Sequence, residues 1–67
     1  MTNPEYMIEI VTKKNAKLMK RFRVFDMDSA IKVSELYLNT HPKYDAHIHL
    51  KLGKGGYVRE KVIKGGN

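Results

Sequence analysis

There is no cysteine in this sequence, which excludes disulfide staples and thiolate metal sites and fits a reducing compartment. No apolar run approaches the length of a membrane-spanning helix. The first residues, Met1-Thr2-Asn3-Pro4-Glu5, lack the basic start of a secretory leader. The chain is therefore expected to be cytoplasmic, without a membrane partner, and complete or nearly so. Linkers, low-complexity stretches and repeats beyond two hairpins are also missing. The 67 residues are read as one domain, with 1–4 and 65–67 frayed. A domain this small buries a modest core and has little stability to spare unless it associates.

Several functional motifs are missing too. Gly53-Lys54-Gly55-Gly56 has neither the Gly-Lys-Ser/Thr ending of a phosphate-binding loop nor a helix behind it, so it reads as a flexible hairpin turn. There is no helix-turn-helix or zinc-finger spacing, and none of the aromatic signatures of RNA-recognition motifs. No cofactor is expected.

Acid is scarce where base is dense. Thirteen Lys and Arg against seven Asp and Glu give a net charge of +6. Residues 13 to 23 hold Lys13, Lys14, Lys17, Lys20, Arg21 and Arg23 and no acid. Residues 51 to 64 hold Lys51, Lys54, Arg59, Lys61 and Lys64 against Glu60 alone. Such polarisation points to an acidic partner, nucleic acid or an acidic protein.

What the sequence does contain is alternation. Tyr44, Ala46, Ile48, Leu50 and Leu52 interleave with Asp45, His47, His49 and Lys51, the pattern of a strand with one buried and one wet face. Residues 5–12 are apolar on both faces and suit a central strand. Residues 18–25 form another strand, with Leu18, Lys20, Phe22 and Val24 opposed to Met19, Arg21, Arg23 and Phe25. The turn between these strands is expected to use Asn15 at positive φ. The one helix spans 27–39, capped by Asp26, with Met27, Ala30, Ile31, Val33, Ser34, Tyr37 and Leu38 on its apolar face. Thr40-His41-Pro42 is expected to end it. The last strand spans 57–63, with Val58 and Val62 opposed to Tyr57, Arg59 and Lys61.

The expected fold is α+β: a two-layer ββαββ domain, a four-stranded antiparallel sheet with one helix on one face. Strand order 2-1-3-4 makes every neighbouring pair antiparallel, and 1-2-4-3 does so equally. The other sheet face is the working surface. Arg21, Arg23, Lys51, Arg59 and Lys61, with Lys13, Lys14 and Lys17 from the first hairpin, are expected to meet phosphates. His47, His49 and Tyr57 are expected to meet bases or sugars. On this reading the protein is a non-enzymatic nucleic-acid-binding domain. The histidines at i and i+2 can chelate a metal only with further ligands; they are read as a solvated pair titrating near neutrality. The same residues are chemically sufficient for metal-independent RNA cleavage, a weaker reading. The main alternative is a protein-interaction module, of the free-standing size common in phages and mobile elements, that inhibits a larger partner. Its contacts would be Met7, Val11, Met19 and Phe25. Met7 and Val11 are expected to be exposed and to drive a homodimer.

Overall fold

The computed structural model describes residues 4–66. Residues 1–3 and 67, expected to fray, lie outside the described residues. The elements run β1 (Tyr6–Thr12), β2 (Leu18–Val24), α1 (Met27–Thr40), β3 (Tyr44–Leu52) and β4 (Gly56–Lys64). They build one antiparallel sheet in the order β2-β1-β3-β4, an α+β fold. This is the expected ββαββ arrangement, and it excludes the 1-2-4-3 alternative.

Apolar pattern explains the placement. Ile8 and Ile10 of β1 and Ala46 and Ile48 of β3 are fully buried and meet Ala30 and Leu38 of α1. Phe22, Val24, Tyr44 and Ile63 close the core from the edges. The helix starts where Asp26, in extended conformation, accepts the Ser29 amide at 2.7 Å. That bond, with a second from the Ser29 hydroxyl, holds the Asp26 carboxyl below its ordinary value. At the other end the His41 amide donates to Tyr37 O and Leu38 O, and its ring stacks on Tyr37 at 4.1 Å. Ser34 lies fully buried within the apolar stripe, and its hydroxyl donates to Ala30 O at 2.7 Å. The polar group is thus satisfied inside the helix.

Two β-bulges depart from the expected alternation. Between β1 and β2, Ile10 faces Lys20 while Val11 faces Leu18, so Met19 is the extra residue. Between β3 and β4, Ile48 faces Lys61 while His49 faces Arg59, so Glu60 is the extra residue. Directly opposed residues share a sheet face. Leu18 and Val62 therefore stand on the open face, and Lys61 stands on the helix side, across from buried Ile48.

The first turn also departs from expectation. Ala16, not Asn15, takes positive φ, at 55°. The Asn15 side chain accepts the Thr12 hydroxyl at 2.7 Å. Gly65 is buried rather than frayed. Its amide donates to Tyr44 O and to Asp45 Oδ1, each at 3.1 Å. A Cβ at this position would overlap the Tyr44 carbonyl oxygen, so glycine is required by close approach.

Candidate nucleic-acid interface

The open face reads in rows across the sheet. Arg21, Glu9, His47 and Val62 form one, and Arg23, Met7, His49 and Arg59 the next. Lys51 and Tyr57 face each other at one end of β3 and β4; Asp45 and Lys64 do so at the other. Sequence reasoning thus placed Arg21, Arg23, His47, His49, Lys51, Tyr57 and Arg59 on the correct face. It misplaced Lys61, because the bulge at Glu60 turns it away.

The central acids change the electrostatics. Glu9 binds Arg21 at 3.3 Å. Glu5 binds Arg23 at 3.7 Å and Lys51 at 3.9 Å. Asp45 binds Lys13 at 2.6 Å. The β2 side of the face is therefore largely neutralised. On the other side, Lys54, Arg59, Lys61 and Lys64 make no ion pair among the described residues, and neither do Lys14 and Lys17 in the β1–β2 turn. Lys64 was missed as a candidate. Only the bulge, which restores it to the open face opposite Asp45, reveals it.

Rings cluster on the same half. The His47 and His49 centroids lie 6.4 Å apart, and the Tyr57 ring meets His49 edge-on at 6.5 Å. Tyr57 is exposed and both histidines are half-buried. Burial holds the His47 ring below its ordinary value, with the charges of Arg59 and His49 adding to the effect. The two histidines are thus not the fully solvated pair that alternation alone suggests. His49 Nε2 lies 3.2 Å from Glu9 Oε1, yet it is buried without a properly aligned hydrogen-bond partner. Among the described residues no group of three or more His, Cys, Asp or Glu is arranged to hold a metal ion.

The apolar patch expected to drive a homodimer is not assembled. Val11 is buried, at 5 % exposure, between Leu18 and Asp45, where Lys13, two residues along, reaches over to Asp45. Met7 is half-buried between Arg23 and His49. Met19 and Phe25 are exposed but stand at opposite ends of β2. An open hollow of about 500 Å³ crosses this region, lined by Glu5, Met7, Arg21, Arg23, Lys51 and Tyr57 among others. Among the described residues no helix is long and apolar enough to cross a membrane.

No family model matches this chain, and neither a curated protein nor a solved structure is significantly similar to it.

Proposed function

We propose that this protein binds nucleic acid, without catalysing a reaction on it, through the β3–β4 half of the open face. The observation that carries the reading is the set of unpaired cations along β4 and its turn: Arg59, across from His49 on the face that carries the Tyr57 ring, with Lys54 in the turn and Lys64 at the far end of the strand. A cation already held by a carboxylate gains little from a phosphate, because the first partner must be given up. A cation without a partner keeps its full charge for one. Lys61 extends the positive strip around the β4 edge, and Lys14, Lys17 and Lys64 extend it at the end where β4 finishes. Exposed Tyr57 supplies a surface on which an unpaired base can stack.

The test is fluorescence anisotropy with labelled single-stranded DNA, single-stranded RNA and duplex DNA over a salt series. Affinity is expected to fall steeply with salt. An Arg59→Ala, Lys64→Ala double variant is expected to reduce the salt slope by roughly one to two. Arg21→Ala is expected to change it much less, because Glu9 already holds that guanidinium. Absence of binding to every oligonucleotide at low salt refutes the reading.

A further inference from the structure

The open hollow of about 500 Å³ on the sheet face has a volume within the range of small-molecule sites. Its floor is β1 and the residue pair ahead of it. Met7 is half-buried between Arg23 and His49. Glu5 lies two residues earlier and so on the same face. The Lys51 amide donates to Glu5 O at 2.9 Å, which carries the β1–β3 ladder one residue past β1. Lys51 and Tyr57, directly opposed, wall one side, and Arg21 and Arg23 wall the other.

Glu5 differs from the other two acids of this face. Asp45 accepts a hydrogen bond from Lys13 at 2.6 Å, and Glu9 accepts one from Arg21 at 3.3 Å. Glu5 instead sets Oε2 3.7 Å from Arg23 Nε and Oε1 3.9 Å from Lys51 Nζ, both beyond hydrogen-bond length. Its charge is answered, but among the described residues neither oxygen accepts a hydrogen bond. The side chain is 23 % exposed, so water reaches it only in part. A carboxylate with unused acceptor sites on the floor of a hollow suits a neutral group rich in donors rather than another anion.

We infer that the hollow takes one unpaired guanine of the bound strand, an inference that rests on the nucleic-acid reading above. Guanine is the base whose pairing edge carries two adjacent donors, N1–H and the exocyclic amine, and these meet the two oxygens of Glu5. Its O6, next to N1, accepts from the Lys51 ammonium. The ring lies over Met7 with Tyr57 beside it, 42 % exposed and able to stack. Adenine and cytosine present a ring-nitrogen acceptor where the carboxylate needs a donor. Uracil and thymine present a single donor between two carbonyl oxygens. A paired guanine has already spent this edge, so the strand is single. Its phosphates run on to Arg59 and Lys54, which hold no carboxylate among the described residues.

The probes are labelled cytosine heptanucleotides, in RNA and DNA form, followed by fluorescence anisotropy at low salt. The central base is cytosine, guanine, adenine, uracil or thymine, or hypoxanthine. The guanine strand is expected to bind about tenfold more tightly than the cytosine, adenine, uracil and thymine strands. Hypoxanthine keeps O6 and N1–H but lacks the amine, and is expected to fall between. Glu5→Gln breaks no side-chain hydrogen bond and lies outside β1, and circular dichroism checks that the fold is kept. It frees Arg23 and Lys51, so the all-cytosine strand is expected to bind more tightly while the guanine preference shrinks to within about twofold. Charge alone would move every strand together. In protein with ¹³C-methyl methionine, the guanine strand is expected to shift Met7 and leave Met19 in place. Equal affinity for all strands overturns the inference and leaves the nucleic-acid reading standing. So does tightest binding of another base, hypoxanthine equal to guanine, a guanine preference kept by Glu5→Gln, or an unmoved Met7. Absence of binding by every strand, the all-cytosine one included, overturns both.

Discussion

Asp45 ties together three parts of the chain that are distant in sequence, and its removal is the sharpest test of how the open face is held. Its Oδ1 accepts from Lys13 Nζ at 2.6 Å and from the Gly65 amide at 3.1 Å. It thereby joins the β1–β2 turn to the end of β4 through β3. Hydrogen bonds to a charged group contribute about 1.5–3 kcal/mol each. The Lys13 side chain is 42 % exposed, so screening brings that bond down to about 1 kcal/mol or less. The Gly65 amide keeps Tyr44 O as a second acceptor, which brings the other to about 1 kcal/mol. Asp45→Ala is therefore expected to cost about 2 kcal/mol, or a fall in Tm of roughly 8–16 °C in a domain of this size. Asp45→Asn keeps an acceptor for Gly65 and is expected to cost about half as much. Burial is the largest single influence on the Asp45 carboxyl and pushes it up. The bonds from Lys13 and Gly65, with the charges of Lys13 and Lys64, outweigh it and leave the group below its ordinary value. The folded state then binds this proton less readily than the unfolded chain does. The contribution is complete above the unfolded value of about 3.9 and is lost as pH falls through the lower folded value. Thermal melts of the wild type and the alanine variant should differ equally at pH 7 and pH 5 and converge in stronger acid. A Tm difference under about 2 °C at pH 7, or one that grows on acidification, refutes the reasoning.

Three further outcomes are expected. Ala16→Gly should stabilise by about 0.5–1 kcal/mol, because it relieves the left-handed backbone; an unchanged or lower denaturation midpoint contradicts this. Gly65→Ala should destabilise by about 1–3 kcal/mol, since the new Cβ meets the Tyr44 carbonyl, and urea melts measure it. The His47 ring should titrate below its ordinary value by NMR, and Arg59→Gln should move the midpoint upward by removing a nearby cation. Its folded value lies below the unfolded one, so its contribution to stability is present above the unfolded value of about 6.5 and is lost as pH falls.

The fold was legible because few arrangements satisfy the apolar pattern. β1 is apolar on both faces, which suits the inside of a sheet, and β3 has a single apolar face. One amphipathic helix can cover only one side. Chain connectivity then left two all-antiparallel orders, 2-1-3-4 and 1-2-4-3, and the observed order β2-β1-β3-β4 is the one that sets β1 inside the sheet. Asp26 as helix cap was equally readable, because it acts on its own turn, and the helix end fell one residue beyond the expected 39, with Thr40 still helical and His41 as the cap.

The working face was legible only in part, and the reason is geometric. A strict period of two assigns every residue of a strand to a face, but one inserted residue reverses the assignment for everything beyond it. Beyond Glu60 that reversal exchanged Lys61 for Val62 and Lys64 on the open face; near Met19 it set Leu18 beside Val11. No residue at either bulge advertises it, since Met19 and Glu60 are ordinary strand occupants. Charge was misread for a different reason. Net charge counts Glu5, Glu9 and Asp45 as minor opposition to a basic chain. The sheet, however, gathers Glu9 and Asp45 onto its central strands and Glu5 just ahead of β1, within 4 Å of Lys13, Arg21, Arg23 and Lys51. The consequence is a division that composition does not reveal. Along β2 the arginines are held by carboxylates, which answer much of their charge. Along β4 and its turn Lys54, Arg59, Lys61 and Lys64 make no ion pair among the described residues, and Arg59 shares the open face with the His49 and Tyr57 rings. Two edges of similar composition thereby differ in how much of their charge is left without a partner.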